Sequence, residues 1–336
     1  MKNQNLQNCI YISWTRFNWH AHYQSKTFNA KIYFINNFLS DIRKLKKFFK
    51  FIDYLVKSLT TIFIILKIRP ELLFIESPPP FASYIAFLYK KLFKKKFVID
   101  AHNGAFEPPM SSVPYWGNIL SGADLVIVHN NPLRNFLSKK FKDVKFFTLN
   151  DPLPTYKKME DNNDSFYILV VTTFHGDEPI EIVLEGISEY IKRNPSSKAE
   201  FRITGNYNKK INIFNKYNKV NKIIFLGFLD QDSFYQQHSN AIGIISYSVR
   251  EMVQQYALME ALGAGKPFIS NKNLTNTELF GDKMIFTDND PLSIAEGIEK
   301  FFQNREQLIN NIEILKRELS LKRKDDLEKI KKHLGL

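Results

Sequence analysis

One cysteine, Cys9, stands in 336 residues, so neither an intramolecular disulfide nor a cysteine-based zinc site can form, which suits a reducing cytoplasm. Long apolar runs are missing too. The most apolar stretch, LTTIFIILKI at 59–68, lies between Lys57 and Lys67 and falls well short of the roughly 20 residues that cross a bilayer. It predicts a buried or interfacial helix. The opening MKNQNLQN has no apolar segment of the secretory-leader kind. No repeat period is visible, no Walker or Gly-x-Gly-x-x-Gly sequence occurs, and no His, Cys and Asp residues share metal-ligand spacing.

What is present is a sizeable core. Hydrophobic residues make up 44% of the chain, and 30 Phe and 15 Tyr are offset by abundant Lys and Asn, so mean hydropathy is −0.27 and the class is globular. The length predicts two domains. Charge is uneven. Residues 1–164 hold 24 Lys and Arg against 12 Asp and Glu, whereas 165–336 hold 23 against 22. A basic half beside a neutral half implies that one domain faces something anionic, such as phospholipid headgroups, a pyrophosphate-linked lipid, a nucleic acid or an acidic polysaccharide.

The first half alternates short apolar runs with helical patterns: CIYISW, AKIYFI, a long helix, ELLFIES, another helix, KFVIDAHN and ADLVIVHNN. The second half restarts the rhythm with SFYILVVTTF, a helix, AEFRITGN, KIIFLGFL, a helix, AIGIISYS, a helix, PFISN and KMIFTD. Continuous apolar strands spaced by helices indicate parallel sheets covered on both faces. The fold class is therefore α/β, with two doubly wound Rossmann-like domains facing across a cleft, joined near the polar linker PLPTYKKMEDNNDS. The boundaries read as 1–160, 161–312, and a final basic helix, 313–336, packing back across the domains.

The long first-domain helix is predicted to start near Ser40 and Asp41. Ile42, Leu45, Phe49, Ile52, Val56 and Leu59 form one apolar stripe, with Arg43, Lys44, Lys46, Lys47 and Lys50 on the remaining surface. The plainest reading is a core-facing stripe with a solvated charged face. The segment YIAFLYKKLFKKKF repeats the mixture of aromatic and basic residues, which also fits attachment to an anionic membrane surface.

In the second half the order of features is informative. VVTTFHGDEPIE ends one strand and opens a helix, FRITGN ends the next strand, IISYS precedes Ser248 and Arg250, and YALMEALGAGKPFIS carries Glu260. Glycine at a strand end permits close backbone approach, and helix N-termini offer N–H donors to phosphate. This order resembles the donor-binding half of the GT-B glycosyltransferases of group 1, above all in ITGN and ALMEALGAGKPFIS. The resemblance implies a nucleotide diphosphate sugar as donor, with Glu260 accepting hydrogen bonds from the ribose hydroxyls. Thr173, His175, Asp177, Glu178, Thr204, Gly205, Asn206, Ser248, Arg250 and Tyr256 are the other donor-side candidates. Arg250 and the N–H groups after Thr173 are assigned to the diphosphate. Asp177 and Glu178 read equally well as capping charges at a helix start. Where retaining members carry a second glutamate, this chain has Met252, with Glu251 one step away.

The first half matches the family less well, having ISWTRFNWHAHYQS where a glycine-rich loop is usual. FIESPPPFASYIAFL and FVIDAHNGAF resemble acceptor-side strand ends, which makes Asp100 and His102 catalytic candidates. His22 and His20 are rivals for the role of base. The sequence DND at 288–290 looks like a metal-binding Asp-x-Asp, but Pro291 follows it, so helix capping is the reading taken. The resemblance thus implies a metal-independent transfer, with no cofactor beyond the sugar donor. The acceptor would be lipid-linked or a polysaccharide, held by a basic first domain on the inner face of the cell membrane. The alternatives are a sugar-nucleotide epimerase of the same shape and a basic nucleic-acid-binding protein; no recognition motif for nucleic acid is visible.

Overall fold

A computed structural model describes residues 8–37, 47–154 and 166–336. It divides into two units: Met1–Asn150 with Asp325–Leu336, and Asp151–Lys324. The helix start predicted at Ser40 and Asp41, and most of the predicted linker, lie outside the described residues.

In the first unit the elements run β1 (Cys9–Ser13), α1 (Trp19–Thr27), β2 (Lys31–Phe34), α2 (Lys47–Ile68), β3 (Leu72–Ser77), α3 (Phe81–Phe93), β4 (Lys96–Ala101), α4 (Trp116–Gly122), β5 (Leu125–Val128), α5 (Asn131–Lys140) and β6 (Phe146–Thr148). The strands form one parallel sheet in the order β2-β1-β3-β4-β5-β6. The second unit runs β7 (Tyr167–Val170), α6 (Ile180–Arg193), β8 (Glu200–Thr204), α7 (Ile211–Tyr217), β9 (Ile223–Gly227), α8 (Gln231–Asn240), β10 (Gly243–Ile245), α9 (Tyr256–Gly263), β11 (Phe268–Asn271), α10 (Leu274–Phe280), β12 (Ile285–Thr287), α11 (Pro291–Gln303) and α12 (Arg305–Leu334). Its sheet is also parallel, in the order β12-β11-β10-β7-β8-β9. These are the two doubly wound sheets that the alternation of apolar runs predicts.

The central strands are buried along their whole length because helices cover both faces. Ile10, Phe74, Ile99 and Ile127 in one sheet, and Ile168, Ile203, Ile244 and Ile269 in the other, are at most 2% exposed. Each such side chain contributes about 1.5–3 kcal/mol. The last helix supplies both cores. Leu308, Ile312 and Leu315 are in the second unit's core, while Ile330 and Leu334 complete the first unit's core, where Lys96 Nζ also donates to the Leu334 carbonyl at 2.6 Å.

Helices α4, α5, α7 and α10 are absent from the sequence reading, and three further elements differ from it. Strand β6 is additional; it has only three residues and follows a charged stretch. The segment after β1 is not a loop but helix α1, capped by Asn18, whose side chain accepts from Ala21 N. The third is α2. Its described buried positions are Asp53, Lys57, Thr61 and Ile65, at steps of four, while Phe49, Val56 and Leu59 of the predicted core stripe are exposed. The stripe exists but faces outward. The inward polar groups pair among themselves: Lys57 Nζ lies 3.1 Å from Asp53 Oδ2, and Trp14 Nε1 donates to Thr61 Oγ1 at 2.9 Å. Asp290 caps α11 by accepting from the N–H groups of Leu292 and Ser293, so the Asp-x-Asp sequence has a capping role, as its Pro291 implies.

His238 on α8 is fully buried beside Phe234, and desolvation, with Lys266 adding to it, pushes its pKa down to about 3. The unfolded chain binds a proton at His238 below about pH 6.5, whereas the folded chain does not until about pH 3. Stability is therefore complete above pH 6.5 and falls on acidification, by up to about 1.4 kcal/mol per pH unit from this group. Urea unfolding between pH 7 and 5 is expected to show a slope about one proton smaller in His238→Gln than in the wild type; equal slopes would exclude this account.

Candidate functional site

In an open parallel sheet the connections leave in opposite directions at the point where strand order reverses, and a crevice opens beyond the strand ends there. In the first unit this point lies between β1 and β3, and in the second between β10 and β7.

At the first of these, the sheet's apolar strands end on polar residues. Glu76 is the last residue but one of β3, Asp100 lies in β4, His102 follows it, and His129 follows β5. Helix α1, starting just after β1, brings His20 in its first turn. Asp100 is fully buried and accepts from Tyr11 Oη at 2.7 Å; His20 Nε2 is 3.0 Å from the same oxygen, and His129 Nε2 is 3.5 Å from the other. Glu76 is 3.0 Å from His102 Nε2 and also accepts from Asn18 Nδ2 at 2.6 Å and from Ser13 Oγ. The three imidazole centroids are 4.6–4.7 Å apart. Burial by itself would raise the Asp100 pKa, but the His20, His129 and His102 rings outweigh it and hold the carboxyl well below the usual range.

The structure therefore brings Asp100, His102 and His20 together. His22 is elsewhere: it is partly exposed and packs against Phe17, Trp19 and Tyr23. Its pKa is lowered by desolvation and by Lys26. Glu76 and His129 escaped the sequence reading, although both are polar residues at the ends of apolar runs, which is the available signal. A cluster of three imidazoles beside two carboxylates can accept a proton from a hydroxyl group or ligate a cation.

In the second unit the turn after β7 is organised by Glu178. Its carboxylate accepts from Thr173 N at 2.9 Å, His175 N at 2.8 Å and Thr172 Oγ1 at 2.8 Å. The N–H groups assigned to a diphosphate are thus engaged internally. Phe174, buried within this turn, has φ of 56°, a left-handed backbone that a bulky residue rarely adopts. Asp177 ties the turn to the end of β10, accepting from Ser248 Oγ at 3.0 Å while its carbonyl accepts from Val249 N. Burial favours the neutral Asp177, but hydrogen bonds from His175 and Ser248 prevail and lower its pKa. Arg250 follows, its N–H bonded to Ser248 Oγ.

Thr204 Oγ1 accepts from Thr172 N at 3.3 Å, and Gly205 and Asn206 continue from β8, with Asn206 accepting from Asn208 N. Two lysines that the sequence reading passed over follow at once. Lys209 Nζ donates to the Thr173 carbonyl at 2.6 Å, and Lys210 Nζ to those of His175 and Glu178 at 3.3 and 3.4 Å. Tyr256 and Glu260 are one turn apart on α9 and half-buried; the buried side of that helix is Leu258, Met259, Ala261 and Leu262. Glu260 thus stands at the edge of the buried face of α9, not within it.

Comparisons with known proteins follow this geometry. Residues 165–304 match the family described as "Glycosyl transferases group 1", a segment within the second unit. Over 250 residues the chain is 22% identical to "Protein CapJ" of Staphylococcus aureus; the match takes in 70% of this chain, which spans 63% of the length of that curated relative. Among solved structures, "Anabaena Alr3699/HepE in complex with UDP and glucose" superimposes with a TM-score of 0.71 at 10% identity, covering 98% of this chain and 99% of that one. A sucrose-phosphate synthase from Thermosynechococcus elongatus gives 0.65 at 12% identity, over 88% and 83%.

Gly205 has φ of +95°, and a Cβ there would lie 2.1 Å from the Thr172 carbonyl oxygen. Gly205→Ala is expected to destabilise the chain by at least about 2 kcal/mol, because backbone on both sides must move. Chemical denaturation reads this directly, and a loss below about 0.5 kcal/mol would contradict the close packing of β8 on the β7 turn.

Proposed function

We propose that the chain is a group 1 glycosyltransferase of the GT-B fold that moves a sugar from a nucleoside diphosphate sugar to an acceptor presented at an anionic membrane surface. The donor reading rests on the second unit. Lys209 and Lys210 converge on the turn after β7, and Arg250 follows the strand end bound to that turn. Since Glu178 already satisfies the N–H groups of this turn, these three cations are the groups that balance the diphosphate, in place of a metal ion. Glu260, half-buried one turn after Tyr256, is suited to two adjacent ribose hydroxyls. The HepE structure holds UDP and glucose, which makes UDP the first nucleotide to test. In the first unit Asp100, through His20, and Glu76, through His102, orient imidazoles that can take the proton of an attacking hydroxyl.

The observation that carries the membrane reading is the outward apolar face of α2. Phe51, Leu55, Leu59, Phe63 and Leu66 are 46–64% exposed, and Leu88, Leu92 and Phe93 of the adjoining α3 are 43–75% exposed. Lys50, Lys67, Lys91 and Lys94 are exposed on the same two helices or at their ends. Aromatic and aliphatic groups bordered by lysines match a bilayer interface with anionic headgroups, where each cation contributes on the order of 1 kcal/mol. No helix among the described residues is long and apolar enough to cross a membrane. The reading is therefore peripheral attachment at the inner face of the cell membrane, with a lipid-linked or surface-glycan acceptor.

Calorimetry with UDP and a panel of UDP-sugars is expected to show binding that weakens roughly 10- to 100-fold in Glu260→Ala and in the Lys209→Ala, Lys210→Ala pair, the loss for hydrogen bonds to charged groups. Unchanged affinity in both variants would remove this site. Sedimentation with phosphatidylglycerol vesicles at low salt is expected to capture the wild type but not Leu59→Asp with Phe63→Asp. Both residues are exposed, so the variant keeps its fold, and equal capture would refute the α2 surface.

A further inference from the structure

We propose that His20, His102 and His129 form a binding site for a divalent transition-metal ion of the zinc class, with an open coordination position. One ring nitrogen from each imidazole lies within 4.8 Å of the others, and the three come from separate segments: α1, the end of β4 and the end of β5. The site is shielded, with His20 at 7% and His129 at 3% exposure, while the His102 side chain is 35% exposed and gives access from solvent.

Three features distinguish this cluster from histidines packed for shape. First, the rings have carboxylates beside them. Nε2 of His20 and of His102 is 3.0 Å from an oxygen of Asp100 and of Glu76, respectively, and Nε2 of His129 is 3.5 Å from Asp100. With Nδ1 as the ligating atom, carboxylates at Nε2 set ring orientation and raise ligand basicity. Second, the charges balance. Two buried carboxylates stand against three imidazoles that repel one another if all are protonated. A doubly charged cation on three neutral rings cancels the two carboxylates. Third, the donor set is chemically selective. Three imidazole nitrogens favour zinc, cobalt, nickel or copper over magnesium or calcium, which prefer oxygen.

Zinc–nitrogen bonds of about 2.0–2.1 Å place tetrahedral ligand atoms about 3.4 Å apart, so the nitrogens draw in by about 1 Å on binding. With three protein ligands a fourth position remains for water, and the 35% exposed His102 side chain gives solvent access to the cluster. An imidazole that ligates the ion no longer accepts a proton, so occupancy and base catalysis by the same ring exclude each other. The inference is independent of the nucleotide reading, which concerns the other unit.

The test uses the untagged full chain, freed of metal with a chelator and titrated with Co²⁺ under visible spectroscopy and with Zn²⁺ by calorimetry. A one-to-one complex with tetrahedral Co²⁺ absorption, a micromolar or tighter dissociation constant for Zn²⁺, and no competition by Mg²⁺ are expected. His102→Ala, at the most exposed of the three positions, should weaken Zn²⁺ at least tenfold with the fold unchanged by circular dichroism, while Asp288→Asn should not. No stoichiometric Co²⁺ or Zn²⁺ binding by the folded wild type, or Zn²⁺ affinity unaltered in His102→Ala, overturns the proposal. Because UDP affinity is measured separately, loss of the metal site leaves the donor reading standing, and the reverse.

Discussion

Each unit is organised by the reversal of strand order beside its first strand. β1 is flanked by β2 and β3, and β7 by β10 and β8, so the connections on either side depart toward opposite faces of the sheet. The backbone beyond those strand ends is left uncovered by helices, and it is where polar side chains can stand without entering the core. The same apolar runs that build the sheets therefore also aim their last residues into the crevice. Glu76, Asp100 and His129 in one unit, and Thr172 and Ser248 in the other, are all positioned this way.

The two crevices handle charge in opposite ways. In the first, two buried carboxylates are compensated by imidazoles, whose own charge depends on pH and on ligation. An isolated buried carboxylate costs several kcal/mol, so Asp100 persists as an anion only because Tyr11, His20 and His129 surround it. In the second, a carboxylate occupies the turn's own N–H groups, and lysines reach in from the following segment to the turn's carbonyls. One site is thus built around fixed negative charge with adjustable cations. The other presents lysines around a turn that is already satisfied.

Helix α2 shows where periodicity stops being informative. Its apolar residues do recur at helical spacing, and that much is legible in the chain. Which side of the helix meets the sheet depends on the partners offered. Trp14 Nε1 needs an acceptor and receives it from Thr61, and Lys57 can be buried because Asp53 is one turn away. These inward polar contacts turn the apolar stripe outward. A pattern of apolar residues specifies a face but not what that face touches.

Fold class, the parallel sheets, eleven of the twelve strands among the described residues and the capping role of Asp290 were written in the sequence, because apolar runs, strand-end glycines and a proline after a cap act locally. The presence of Asp100 and His102 at one site was partly legible from two strand-end residues two positions apart. The joining of His20 and His129 to them, the exclusion of His22, the inversion of α2, and the arrival of Lys209 and Lys210 at the β7 turn were decided by tertiary structure alone. Each depends on segments tens of residues apart meeting at a strand end, and a contact of that range leaves no spacing in the chain from which it can be read.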